Sequence, residues 1–331
     1  MIASLAALAL TVVAATTHTD TTVSVRPGTR LELNAFAGSI SVVTWSRNAV
    51  RLGADHSSHT RLALDEKGPV LNVRVEHWRG IPTSVEYQLT VPKWMSLDLS
   101  GVNTDISVEN SEGEIAAETV QGEVLITGGA KIVKANSVEG EVRVARASGK
   151  IEANSVNAGV RLSECSGQIL ASSINGEVRM TDIASDDVEA STINGVVSYE
   201  GQIKDGGSYR FSTHSGDVSV AVPERANASV AVATYNGEFS SSFPVTLNQT
   251  RKGKRFDFTL GSGSARIELE SFEGEIRLRH PGDPDTRRGN EFKYEYKYQY
   301  PMDKAKREVN KTKQKPKTKQ DDGDPDEDQE P

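Results

Sequence analysis

The chain has 331 residues, 36% of them hydrophobic and 25% charged, with a formal net charge of −8 at pH 7; mean hydropathy is −0.45 and the pI is near 5.4. That apolar content is thin for a compact enzyme with a thick three-dimensional core, yet it suits a repeat fold whose core is a one-dimensional stack. The acidic balance excludes nucleic-acid binding by bulk charge, and the lone cysteine, Cys165, excludes an intramolecular disulfide.

Met1 to Ala15 carries no charged side chain. The run falls short of the about 20 apolar residues that span a bilayer. It has the form of a signal-peptide apolar region, with Val13-Ala14-Ala15 offering small residues for cleavage after Ala15. The basic residue usual near the start of such a leader is missing. The expectation is an exported chain (periplasmic, at the cell surface or extracellular) without a transmembrane helix once mature. No cysteine stands directly after the expected leader, so no lipid anchor on an N-terminal cysteine is expected.

Residues 20–100 read as an irregular β region that caps one end of the repeats. Candidate strands are Thr22–Val25, Arg30–Leu33, Ser39–Val42, Leu71–Val75 and Ser84–Val91, divided by Arg26-Pro-Gly28, Lys67-Gly-Pro69 and Pro92.

The repeats are expected from residue 101, and from Leu99 to Val197 an aliphatic residue returns at nearly constant spacing: Ile106, Ile115, Val124, Ile132 or Val133, Val142, Ile151, Val160, Ile169, Val178, Val188 and Val197. Most members follow a glycine, as in Glu139-Gly-Glu-Val142 and Ser166-Gly-Gln-Ile169, and a glycine accepts the positive φ that a tight turn can require. Apolar residues alternate around each turn, as in Val142-Arg143-Val144, which is the period of a strand with one face buried. A second series, Ala135-Asn-Ser-Val138, Ala153-Asn-Ser-Val156, Ala171-Ser-Ser-Ile174, recurs every 18 residues. The predicted fold is an all-β, single-stranded β-solenoid (β-helix) with coils of about 18 residues, each made of two units of about nine.

Two other repeat types fail. A hexapeptide helix needs an aliphatic every six residues, but Val138 and Val144 are followed by Lys150, and Val156 and Leu162 by Gln168. Calcium-binding nonapeptides need an aspartate after paired glycines, and Gly128-Gly129 leads into Ala130-Lys131.

Past Gly201 the pattern loosens, then returns at residues 214–220 and 235–241 and closes with residues 265–278, the repeats and closing strands together reaching 282. Arg251–Lys254 reads as a hairpin tip joining Val245–Leu247 to Phe256–Phe258. Residues 283–331 read as a charged tail: an alternating aromatic stretch at 293–300, expected as an edge strand or extended arm, then a lysine-rich and an acidic block, expected to be disordered.

Gly38–Val42, Val91–Ser100 leading into the glycine-punctuated GEI and GEV units, and Gly261–Leu278 together resemble the bacterial putative-adhesin β-helix family of unknown function, over roughly residues 30–280. The resemblance implies an envelope-associated or secreted β-helical protein.

No catalytic, cofactor-binding or metal-binding constellation emerges. His18, His56, His59, His77, His214 and His280 are scattered; His56-Ser-Ser-His59 offers half of a metal site and no evident third ligand. Cys165 sits at a predicted corner with no His or Lys nearby in sequence to activate it. Asp182, Asp186 and Asp187 form the one tight acidic group within the repeats. The 18-residue register places Arg143, Arg161 and Arg179 at equivalent outward positions, with Glu141 and Glu177 two residues earlier and Gly159 between them. Stacked guanidinium forks could grip the carboxylate or phosphate of an anionic glycan; equally, the glutamates could neutralise them. Three functions stay open: a non-enzymatic, adhesin-like envelope or surface protein presenting a sheet face to a glycan or protein partner; a β-helix polysaccharide lyase or hydrolase; and a structural or regulatory envelope partner acting through the tail. The first is the one expected, with an envelope polysaccharide or another envelope protein as partner and no cofactor.

Overall fold

The computed structural model of the protein describes residues 16–77, 84–244 and 254–283, all within one compact unit. They form 23 β-strands and no helix, and the chain winds as a β-solenoid. Parallel neighbours lie 18 residues apart: Val133 beside Ile151 and Ala135 beside Ala153, then Ile151 beside Ile169 and Ala153 beside Ala171. Val124, Val142, Val160 and Val178 form a matching column on the second face of the coil. Both columns are fully buried, and Val133 rather than Ile132 is the inward residue at the position where two aliphatics compete. Alternation explains this: Val133 and Ala135 share one face of their strand, while Ile132 and Lys134 share the other.

The turns show why glycine recurs. Gly140 and Gly176 do not have positive φ; the need there is close approach rather than left-handed backbone. A Cβ on Gly140 would lie 1.7 Å from the carbonyl oxygen of Gly122 in the neighbouring coil, and one on Gly176 would lie 2.0 Å from that of Ala158. At the other corner, Gly149 and Gly167 combine positive φ with a neighbouring carbonyl, as do Gly122 and Gly216 elsewhere in the stack.

A buried hydroxyl creates that close approach. Ser137 Oγ donates to Gly122 O at 2.8 Å and accepts from Gly140 N at 2.9 Å. Ser155 and Ser173 repeat the arrangement toward Gly140 O and Ala158 O. The hydroxyl thus satisfies two corner backbone groups that would otherwise be buried without partners. Where alanine replaces the corner glycine, at Ala158, the bond from its N–H to Ser155 Oγ lengthens to 3.2 Å.

The period widens past Val178, which pairs with Val197, and again where Val188 pairs with Tyr209. The enlarged coils are filled by aromatic rings in place of valines. Tyr199 packs against Phe211 with centroids 4.9 Å apart and against Tyr209 at 6.1 Å, and all three are buried.

Both ends depart from chain order. Arg30–Trp45 is an interior coil, lying between Ser96–Ser111 on one side and Val70–His77 with Val85–Pro92 on the other. Ser96–Ser111 runs unbroken through residue 100, where the sequence reading divides the N-terminal region from the repeats. At the far end, Ala265–Glu273 sits between Ser208–Ser215 and Ala228–Thr234, so the coil that closes the sequence does not close the stack. Antiparallel strands finish each end: Thr60–Lys67 on Val70–His77, Ala49–Ser57 on Val85–Pro92, Thr16–Ser24 on Ala49–Ser57, and Lys254–Leu260 on Ala228–Thr234. Reversing direction ends the continuation of parallel coils at these edges. The expected hairpin places Phe256–Phe258 opposite Val245–Leu247; the observed partner is Val230–Val232, while residues 245–253 lie outside the described residues. The expected leader and the charged tail lie outside them too.

Gly140→Ala is expected to lower stability by about 1–3 kcal/mol, because the added methyl must push a backbone carbonyl aside. Ala158→Gly should stay within about 1 kcal/mol of the parent, the entropic cost of glycine offsetting the relieved corner. Urea denaturation of both variants checks the pair.

Candidate functional site

The arginine register is as expected. Arg143 lies beside Arg161 and Arg161 beside Arg179, on a half-exposed stripe. The ladder ends after three residues, with Leu125 before Arg143 and the buried Ser198 after Arg179. Every guanidinium has an acidic neighbour. Glu141 contacts both Arg143 in its own coil and Arg161 in the next, a double role that Gly159 allows by leaving the intervening position without a side chain. Arg179 pairs with Glu177 at 2.6 Å, and Glu123 lies 3.8 Å from Arg143. Exposed pairs of this kind are worth about 0–1 kcal/mol each; their main effect is to fix the side chains and cancel the field of the ladder.

Among the other polar candidates, Asp187, His56 and Cys165 have structural partners. Gln168 Nε2 donates to Asp187 Oδ2 at 2.9 Å, and Asp187 N donates to Ser185 Oγ at 3.0 Å. Tyr209 OH donates to Ser185 O and accepts from Lys204 N, both at 2.8 Å. Asp182 lies in one register irregularity, between Met180 and Ile183, and Asp186 in a second, between Ala184 and Asp187. Burial raises the Tyr209 phenol above its usual range, which keeps it a neutral donor there. His56 is buried, with Nε2 accepting from Thr19 Oγ1 at 2.8 Å and Nδ1 donating to Ser57 O at 2.9 Å, whereas His59 is exposed. Among the described residues no three His, Cys, Asp or Glu side chains gather in a way that could hold a metal ion. Cys165 is fully buried, its thiol donating to Ser163 O at 3.3 Å. Burial pushes its pKa up.

The sequence reading missed two surface ladders of side-chain amides. Asn136 Nδ2 donates to Glu118 Oε1, Asn154 Nδ2 to Asn136 Oδ1, and Ser172 Oγ to Asn154 Oδ1, at 2.7–3.0 Å. Three residues further along each coil, Asn157, Asn175 and Asn194 each donate to the residue one coil back, starting at Glu139, at 2.9–3.1 Å. Between the ladders stand the apolar residues of the second repeat series. Val120, Val138, Ile174 and Ile193 are 37–47% exposed. The alternation already carried this signal: in Ala135-Asn-Ser-Val138 the alanine and serine point inward, so the asparagine and valine must point out.

Two comparisons with known proteins add to this geometry. The model of the Toastrack DUF4097 family matches residues 105–279, more than half of the chain. The protein belongs to that family. Similar solved structures include a "putative cell adhesion protein" from Clostridium sporogenes, 10% identical, covering 80% of this chain and 100% of its own, with a TM-score of 0.23. A "putative adhesin" from Parabacteroides merdae is 7% identical over 79% of this chain and 95% of its own, at 0.28. A "putative lipid binding protein" from Parabacteroides distasonis is 12% identical over 79% and 96%, at 0.27. At these scores the three likenesses carry no inference about this chain. Comparison with curated proteins gives no match. No helix of the described residues is long and apolar enough to cross a membrane.

Cys165 should react with a thiol reagent at neutral pH only when its own coils open. Labelling of native protein should be slow, and rapid stoichiometric labelling would contradict the burial.

Proposed function

We propose that the protein is a non-catalytic, exported, adhesin-like envelope component that presents its regular outer faces to an extracytoplasmic polysaccharide. The observation that carries this reading is the way the outer side chains are held. At successive coils, chemically alike groups occupy the same position and lock one another in place: Arg143, Arg161 and Arg179 through Glu141 and Glu177, and the asparagines through their neighbours. Side chains fixed before contact lose little entropy on binding, which favours recognition of a repeating polymer by a repeating surface. The turns between residues 115 and 181 are short, so the coils supply no long loops to wall a catalytic cleft. A charge-free leader at residues 1–15 supports export.

The arginine ladder is the proposed contact for anionic sugars, the guanidinium forks exchanging their glutamates for polymer carboxylates. Arg161→Glu with Arg179→Glu should weaken binding of an acidic envelope polysaccharide at least tenfold; the new carboxylates stand beside Glu141 and Glu177, so the denaturation midpoint should fall somewhat, and binding is compared where the variant is fully folded. Unchanged binding by the folded variant dismisses the ladder as a contact. Fractionation of cells producing the tagged chain tests export; recovery in the cytoplasm alone would contradict it.

A further inference from the structure

The residues that close the second repeat series line up into one exposed ridge. Val102 stands beside Val120, and Val138, Val156, Ile174 and Ile193 continue the column at the same corner. Phe36 extends it at one end. At the other, His214 stacks on Phe272 with centroids 4.8 Å apart, and Tyr235 on Phe272 at 4.9 Å. These ten positions rise by nine coil spacings of about 4.8 Å, giving a line of about 43 Å. A shallow groove of about 480 Å³ follows the ridge, lined by Val120, Val138, Val156 and Ile174 on one side and Asn136 and Asn154 on the other.

The chemistry beside the middle of the ridge is neutral, whereas Glu118 and Glu139 flank it nearer one end and Glu270 and Glu273 nearer the other. From Val156 to His214 the flanking positions are Asn154, Ser172, Ser191 and Ser212 on one side and Asn157, Asn175, Asn194 and Ser215 on the other. A side-chain amide has two N–H donors and an oxygen with two lone pairs. Along the ladder Asn154 and Asn175 each give one N–H and take one hydrogen bond, so each keeps a second donor and a second acceptor in a fixed orientation.

Three occupants can be weighed. The strip between the ladders is about three residues wide, or about 10 Å at strand rise, so a second copy of the chain would cover about 430 Å² of each partner, roughly half of the ~800 Å² per side of a stable protein interface. An extended peptide finds no backbone partner, because the corner N–H and C=O groups bond along the axis to neighbouring coils, as in Asn157 N to Val138 O and Asn175 N to Val156 O. A linear chain of sugars fits both requirements. The C–H faces of its rings cover aliphatic and aromatic side chains, and its hydroxyls meet donors and acceptors repeating at every coil.

We infer that the Val/Ile ridge with its two amide ladders is a binding groove for a neutral polysaccharide lying along the solenoid axis. The inference rests on the polysaccharide-binding reading above, but not on the arginine ladder.

The test is affinity electrophoresis of the full chain in gels containing hydroxyethyl cellulose as neutral probe or polygalacturonate as anionic probe, with sedimentation of each variant. The wild type should be retarded by the neutral probe. Val156→Asp with Ile174→Asp should weaken that retardation at least tenfold, and Arg161→Glu with Arg179→Glu should leave it unchanged. Asn157→Ala with Asn175→Ala, which leaves the core untouched, should weaken it several-fold and stands in if the first pair misfolds. Retardation by polygalacturonate alone overturns the groove and leaves the sheet-face reading standing; retardation by neither probe overturns both. Neutral-probe binding that survives the ridge and amide substitutions, or a dimer mass that these substitutions abolish, overturns the groove.

Discussion

Coils stack at their corners through a serine or threonine hydroxyl that reaches the carbonyl of the neighbouring coil, and the other regularities depend on that contact. Ser137, Ser155 and Ser173 each join an N–H of their own turn to a carbonyl one coil away. The two turns lie so close at Ser137 and Ser173 that the Cβ space of the third residue after the hydroxyl is filled, and the position is glycine at 140 and 176, while the equivalent turn after Ser155 admits Ala158 with a longer bond. Hydroxyl and glycine are therefore one device seen at two positions. Continued through Thr192 and Thr213, it keeps the corners aligned even where the coils lengthen.

Alignment at the corners decides what the surface can be. Once each coil repeats the last at constant register, every outward position becomes a column of like groups, and the columns must be chemically compatible with themselves. Arginines are compatible because Glu141 and Glu177 sit among them. Asparagines are compatible because an amide both donates and accepts, so each can bond the next without a second residue type. Valine and isoleucine need only contact, and along the corner they leave an apolar line open to solvent. A polymer bound as proposed would meet the same groups at every coil.

Much of the fold was legible in the sequence because its signal is local and repeated. The aliphatic series from Ile106 to Val197 predicts the buried columns, and the 18-residue period gives the register seen at Val133 and Ile151. The ends were not legible, since nothing in Arg30–Trp45 or Ala265–Glu273 announces a coil inserted between two others; those pairings are 66, 58 and 37 residues apart and depend on which edge is open when the chain returns. The glycines were read as turn formers, whereas at 140 and 176 the constraint comes from a carbonyl in another coil, which a single stretch of sequence does not show. The arginine ladder could be placed from spacing, but its neutralisation depends on rotamers. The amide ladders and the ridge were present in the alternation of Ala135-Asn-Ser-Val138 and went unread because an aliphatic residue in a repeat is easily taken for core.

Amide hydrogen exchange of Ser173→Ala tests the corner contact most directly. Removing the hydroxyl leaves Gly176 N and Ala158 O without their partner, a loss of about 1–3 kcal/mol. Protection in Ser166–Ser173 and in the adjoining strands Ser148–Ser155 and Val160–Ser163 should fall about 10- to 100-fold, while the distant coil at Arg30–Trp45 keeps its own, because coils contact only their neighbours. Protection unchanged across residues 148–173 would show that the coils stack without the hydroxyl, and the account built on it would be wrong.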